Sequence, residues 1–180
     1  MQDYITTYTK KHFTIMEPKM EDVDINDIAH ALSLMTRANG HFSQFYSVGQ
    51  HCVECAYEAL ERGYSATVVL GCLLHDGSEA YMADITRPLK QHMPEYLAAE
   101  EKLQNMIYEK FLGQCPSEEE MAQIKSVDDA MLFHEFKCFM NEELDIPEHE
   151  ILTRPAFSTK PFEDVAEDFL LMFHKISALL

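Results

Sequence analysis

The stretch Ser65-Ala66-Thr67-Val68-Val69-Leu70-Gly71-Cys72-Leu73-Leu74-His75-Asp76 decides the reading of this chain. Ser65 has the side chain of a helix N-cap. The residues behind it, 66–76, read as a helix that is apolar nearly all round, with Val68, Val69, Leu70, Cys72, Leu73 and Leu74 spread over its circumference. A helix with no polar face belongs in the middle of a bundle. This one ends in an imidazole beside a carboxylate, His75-Asp76. Two ionisable groups at the end of an apolar run are costly unless something compensates them. A divalent cation does so, because both groups are good metal ligands.

Helical patterns surround that segment. Ile25, Ile28, Ala29, Leu32 and Met35 recur at helical spacing and predict a helix over 25–37, stopped by Asn39-Gly40. Ser47-x-x-Gln50 has the form of a capping box and opens a helix that runs to about Arg62 and ends at Gly63. A short helix over 77–83 and a polar loop over Asp84–Pro88 follow. Pro94 sits where a first helical turn tolerates proline, and the helix it opens runs to Leu112 with Gly113 behind it. Ser117-x-x-Glu120 opens another over about 118–141. Pro147 and Pro155 bracket an irregular stretch, and Pro161 starts an amphipathic helix over 162–178. Residues 4–16, mixing Thr, Tyr, Ile and Phe, read as a short hairpin or an extended arm. The expectation is an all-α chain. Residues 1–23 form an N-terminal arm, and 24–180 form a single-domain bundle of six or seven helices.

Composition narrows the partners. The 180 residues carry a formal net charge of −17 with only 14 Lys and Arg. A broad nucleic-acid or anionic-membrane surface needs a cationic face, so neither is expected. No stretch approaches the roughly 20 apolar residues of a membrane span. The N-terminus lacks the basic-then-apolar pattern of a secretory leader, so the expected location is cytoplasmic. Five cysteines are scattered through helical patterns. They read as reduced thiols on helix faces. Cys52-x-x-Cys55 keeps a cysteine-based zinc site open, although no second pair accompanies it.

The candidate metal ligands are His51 near the start of its helix, His75 and Asp76 at the end of the apolar one, and Asp128 within 118–141. Three helices can bring these two imidazoles and two carboxylates to one point, a set that suits a transition ion or Mg²⁺ and lets it activate a water. Glu79 and Asp84 are placed to orient that water or move a proton. Arg37, Arg87 and Lys90 are the local cations that suit a phosphate. Glu135, two turns beyond Asp128 on the same face, reads as a residue that supports a ligand. Each residue alone also has an ordinary reading: a capping histidine, a local hydrogen-bonded pair, a solvated acidic patch. His134 points to another face than Asp128. His12, His30, His41, His92, His149 and His174 are given no metal role, with His41 the first to reconsider.

The order His51…His75-Asp76…Asp128 resembles the HD superfamily of metal-dependent phosphohydrolases, whose pattern is H…HD…D on a helical bundle. Ser47-Val48-Gly49-Gln50-His51 is similar to that family's ligand-bearing helix start. The segment His75-Asp76-Gly77-Ser78-Glu79-Ala80-Tyr81-Met82-Ala83-Asp84-Ile85-Thr86-Arg87-Pro88-Leu89-Lys90 resembles its bacterial 5′-deoxynucleotidase branch. Lys125-Ser126-Val127-Asp128 resembles the segment that supplies its last ligand. The front end, Asp27–Arg37 with Gly40-His41, is similar to an uncharacterised phosphohydrolase-like branch of the same superfamily. The resemblance spans roughly 24–140. It implies one divalent metal (Mn, Co, Mg, Zn, Ni or Fe) on His51, His75, Asp76 and Asp128. It also implies water positioning or proton transfer by Glu79 and Asp84, and phosphate contact by Arg37. One departure stands out: the nucleotidases follow that Arg with a Trp that partners the sugar, and here the residue is Ala38 in a chain without Trp.

The function expected from these readings is phosphomonoester hydrolysis on a nucleotide or nucleotide-like small molecule. The alternatives are a cyclic-nucleotide or guanosine-tetraphosphate hydrolase, a non-catalytic nucleotide or metal sensor, and a plain helical interaction module. The last amphipathic helix can bury its face in-chain or at the two-fold interface of a homodimer.

Overall fold

The computed structural model describes residues 3–146 and 150–180; Pro147 and His149 lie outside them. The chain is all-α apart from one small hairpin. Among the described residues six helices are nine residues or longer: α1 (Ile25–Leu34), α2 (Val48–Glu61), α3 (Ala66–Leu74), α6 (Pro94–Leu112), α7 (Glu118–Met140) and α8 (Phe162–Ser177). Two single-turn helices, α4 (Glu79–Met82) and α5 (Arg87–Lys90), lie between α3 and α6. The hairpin strands β1 (Ile5–Thr6) and β2 (His12–Phe13) pair antiparallel, Ile5 opposite Phe13.

Helix α3 is the centre. It packs against α2, α6, α7 and α8, and all seven residues from Val68 to Leu74 are buried. Two glycines let the helices close in. A Cβ on Gly71 would overlap the Ile124 side chain of α7, and one on Gly49 of α2 would come within 3.0 Å of the α1 backbone at Leu32 and Ser33. The hairpin is pinned to the bundle: Thr9 donates to Asp27 of α1 from its amide (2.6 Å) and its hydroxyl (2.9 Å), and Phe13 stacks on Tyr81.

The helix starts match the capping pattern of the sequence. Ser47, Ser65 and Ser117 each accept from a backbone amide of the first turn, and Ser117 and Glu120 form a complete capping box. Three boundaries differ from the expectation. The first helix ends at Leu34 rather than 37, because Met35 and Thr36 turn extended and tie back to the connector: Arg37 N–H donates to Tyr46 O and Val48 N–H to Met35 O. Arg37 therefore lies in a 3-10 turn, Arg37–Gly40, in which Ala38, Asn39 and Gly40 all have positive φ. The apolar helix ends at Leu74 rather than 76, where Gly77 N–H folds back onto Leu74 O. The polar loop 84–88 is interrupted by α5, with Pro88 in its first turn.

A third feature holds α2 from outside. Gln50, Glu54, Glu58 and Arg62 recur every four residues and so share one face. That face binds the segment 150–158 through its backbone. Glu58 accepts from the amides of Leu152 and Thr153 and from the Thr153 hydroxyl, Glu54 accepts from Ala156 N–H, and Gln50 donates to the carbonyls of Ala156 and Ser158. Arg62 donates to Glu150 O and to Glu58 itself, 2.8 Å away.

Candidate metal centre

His51 sits in the first turn of α2, His75 caps the end of α3, Asp76 follows it, and Asp128 lies on α7. The fold brings all four together. His51 Nε2 lies 3.3 Å from His75 Nε2 and 3.2 Å from Asp128 Oδ1. His75 Nε2 lies 3.4 Å from Asp76 Oδ2 and 3.7 Å from Asp128 Oδ1.

The outer nitrogens fix what the inner ones can do. His51 Nδ1 donates to Glu135 Oε1 at 2.6 Å, and His75 Nδ1 donates to Cys72 O at 2.7 Å. A neutral imidazole has one donor and one acceptor nitrogen. In neutral rings, with both protons committed outward, both Nε2 atoms would turn lone pairs toward one another and a carboxylate oxygen; without an ion, a proton held at His75 and shared with Asp128 relieves this. Three acceptors at this distance repel unless a cation lies among them. The histidine–carboxylate and histidine–carbonyl pairs are also the usual way a protein orients metal-bound imidazoles. The residues therefore lie close enough together, and are oriented well enough, to hold a metal ion.

Protonation follows the same logic. Burial disfavours a charged His75, but Asp76 beside it and the hydrogen bond to Asp128 more than offset that and hold its pKa well above the ordinary value. Burial pushes the Asp128 carboxyl up, and its hydrogen bonds to His51 and His75 overcome this, leaving it well below the usual range. Glu135 is fully buried, yet His51 and Arg37 hold its pKa down. A proton is thus retained where the donor set asks for positive charge.

The thiols stand behind the imidazoles. Cys55 Sγ is 3.5 Å from His51 Nε2, and the ligand atoms of His51, Cys55 and His75, like those of Cys52, His75 and Asp76, lie within 4.8 Å of one another. Both groups are close enough to share an ion. Burial raises the pKa of Cys52 and Cys55, so both are thiols in the metal-free state.

Arg37 reaches the centre from the 3-10 turn. Its Nε donates to Glu135 Oε2 (3.1 Å), its NH1 to Asp76 (3.3 Å), and its NH2 lies 3.5 Å from Asp128 Oδ1. Arg87 and Lys90, expected as phosphate cations, are already matched with carboxylates. Arg87 pairs with Asp128 Oδ2 at 2.9 Å and with Asp129, and Lys90 with Glu79 at 3.4 Å and Glu100 at 2.6 Å. Glu100 was not singled out in the sequence, and no local pattern marks it; it meets Lys90 only because α6 runs alongside α5.

Glu79 is not on the helix of His75, which has ended, but on α4, where it is 6 % exposed. Its Oε2 is buried without a hydrogen-bond partner. Burial and the neighbouring Asp76 and Asp84 carboxylates push its pKa up to about 9, so it is uncharged at neutral pH. Burial, opposed by Arg37, also raises Asp84. The support expected of Glu135 is visible: one carboxylate holds both His51 and Arg37. His41 caps the end of the 3-10 turn and makes no contact with the four ligands.

Asp76 and Asp128 of this centre line a cavity of about 480 Å³. Arg37, Asp76, Glu79, Asp84, Lys90 and Asp128 line its polar end. Ala38, Ile85, Leu132, Phe136, Leu144 and Ile146 give it an apolar wall, and Thr86, Arg87, Pro88 and Asp145 complete the lining. Asp128, Leu132 and Phe136 are spaced by four, so they form a stripe along α7 that leads away from the centre by about 6 Å per step. Phe136 is held edge-on by Phe42, beside a second aromatic cluster with Tyr46 and Phe139.

No helix among the described residues is long and apolar enough to cross a membrane. No family model matches the chain. The chain is similar to the uncharacterised protein YfdR of Escherichia coli K12, with 41 % identity over 108 residues, 60 % of this chain and 58 % of that protein. It is 28 % identical over 106 residues to an uncharacterised protein of Rhodobacter capsulatus, 56 % of this chain and 54 % of that one. The chain thus spans a little over half the length of the curated relatives it matches.

Proposed function

We propose that this chain is a metal-dependent phosphohydrolase of the HD type, cleaving a phosphate monoester of a nucleotide or nucleotide-like compound. The observation that carries the reading is the meeting of two outward-tethered imidazoles with Asp76 and Asp128, two carboxylates that line a cavity. A divalent ion on these four residues would supply Lewis acidity and lower the pKa of a water.

The chain's own residues would do the rest. Arg37 reaches two of the four residues, Asp76 and Asp128. Its NH1 and NH2 would turn from Asp76 and Asp128 to the phosphate oxygens once those carboxylates are engaged elsewhere. Glu79, buried and uncharged, suits the delivery of a proton to the leaving oxygen. Asp84, in the same cavity, suits the orientation of the attacking water. Leu132 and Phe136, one and two steps along α7, offer an apolar wall for the leaving group.

Phosphate release from a panel of mono-, cyclic and pyrophosphorylated nucleotides, with Mn²⁺, Co²⁺ and Mg²⁺ in turn, tests the reading. The expected result is ion-dependent hydrolysis of monophosphates that disappears in Asp76→Ala. Turnover that survives both chelation and this substitution would overturn the proposal. Preference for cyclic or pyrophosphorylated compounds would move it to another hydrolase class, and tight binding without turnover would move it to a sensor.

A further inference from the structure

Cys52 and Cys55 take no part in the chemistry above, yet they line the back of the same centre. We propose that this centre has a second, softer donor set, in which Cys55 joins His51 and His75 to hold a thiophilic ion such as Zn²⁺ or Cd²⁺. The proposal rests on the centre being a metal site and not on the hydrolysis of any ester.

The distances carry the argument. A tetrahedral ion with metal–nitrogen bonds of about 2.0–2.1 Å and a metal–sulfur bond of about 2.3 Å has nitrogen–nitrogen edges of about 3.3 Å and nitrogen–sulfur edges of about 3.5 Å. His51 Nε2 lies 3.3 Å from His75 Nε2 and 3.5 Å from Cys55 Sγ. Cys55 Sγ and His75 Nε2 lie within 4.8 Å of one another, and Asp128 Oδ1, 3.2 Å from His51 Nε2 and 3.7 Å from His75 Nε2, offers a fourth donor. The sulfur is also 3.9 Å from His51 Nδ1, so it rests against the ring. Its place one helical turn after His51 keeps it within reach. The ligand atoms of Cys52, His75 and Asp76 also lie within 4.8 Å of one another.

The two sets answer to different metals. Carboxylates suit Mg²⁺ and Mn²⁺, and thiolates select softer ions. When a soft ion binds, the sulfur lone pair forms the metal bond and the thiol proton leaves to solvent; a hard ion leaves the thiol intact. Soft occupancy shares His51, His75 and Asp128 with the hard set, so the two exclude each other.

The test uses the full chain with the exposed Cys115 and Cys138 replaced by Ser throughout, so that surface thiols contribute nothing. Loaded with Co²⁺, this parent should show near-ultraviolet sulfur-to-cobalt absorption, and Cys55→Ser should lose it. By calorimetry Cys55→Ser should weaken Cd²⁺ by at least about tenfold while Mn²⁺ stays within about twofold. Cd²⁺ binding to the parent should release one more proton than Mn²⁺ binding. That readout needs no variant at position 55, so it stands even if the substitution disturbs folding. Stoichiometric Co²⁺ without the sulfur band, equal losses of Cd²⁺ and Mn²⁺, or equal proton release would each overturn the proposal. Mn²⁺ binding and hydrolysis without the band would overturn it while leaving the phosphohydrolase reading intact.

Discussion

Helix α2 carries two buried polar clusters on two faces, and they are built on opposite rules. On the outer face each Glu58 oxygen is met by donors: two amides, a hydroxyl and a guanidinium. On the inner face Nε2 of His51, Nε2 of His75 and Oδ1 of Asp128 lie within 3.7 Å of one another, and all three are acceptors whenever the rings are neutral. A polar cluster whose groups are all answered by the protein holds the chain in place. One whose lone pairs converge is stable only with added positive charge, and that need gives it chemistry.

The sharpest way to break this contrast is at the inner face. Asp128→Asn should weaken Mn²⁺ binding by more than the roughly 100-fold that loss of an outer-shell partner costs. Its cost to folding stability should be smaller than that of the outer-face change. Calorimetric titration and thermal unfolding read the two effects separately. At the outer face, Glu58→Ala leaves the Arg62 guanidinium and the two amides without their acceptor, and should cost about 3–5 kcal/mol in urea denaturation while metal stoichiometry is kept. If both substitutions lower stability and metal binding alike, the two faces are one unit and the contrast fails.

Glu135→Gln sharpens the comparison, because it keeps the shape and removes the charge that anchors His51 and Arg37. Metal affinity should fall by about 10–100-fold, with the ion still bound at saturating concentration.

The smallest effect is in pH. Burial pushes the Glu58 carboxyl up, but the Thr153 hydroxyl, the Leu152 and Thr153 amides and Arg62 more than offset this, so its folded pKa is lowered. Its stabilisation is present above the ordinary glutamate pKa and is lost as pH falls through the folded value. Glu54, one turn earlier, has the opposite sign: burial raises its pKa, so the folded state takes up its proton first and this group's contribution falls as pH rises from the ordinary value to the folded one. Stability against pH for Glu58→Gln and Glu54→Gln should show slopes changed in opposite directions.

Local chemistry explains how much of this was legible. Pro94 with Gly113, and Ser117 with Glu120, mark helix ends through single-residue rules, and those helices run close to where the sequence places them. The end of the first helix was not legible. Met35 fits the helical period, and what unwinds the chain there is pairing with the connector, between Thr36 and Ser47. The four candidate ligands could be listed because His51 and Asp128 lie on recognisable helices and His75-Asp76 closes a third. The ring tethers were only half visible: Glu135 followed from its spacing to Asp128, but a backbone carbonyl such as that of Cys72 leaves no mark in a sequence. Arg87 and Lys90 were legible as cations and not as paired ones, since Asp129 and Glu100 meet them only through packing. The spacing of Gln50, Glu54, Glu58 and Arg62 was in plain view, and its partner segment was irregular, so nothing pointed to it.

Gly71 touches none of the ligands, yet it sets the gap between the helix that ends at His75 and the helix that bears Asp128. Any larger residue there would wedge the two apart and widen the bite of the chelate before altering a single donor. Helix spacing at that crossing would therefore tune whatever ion is held there, and a residue with no side chain controls it.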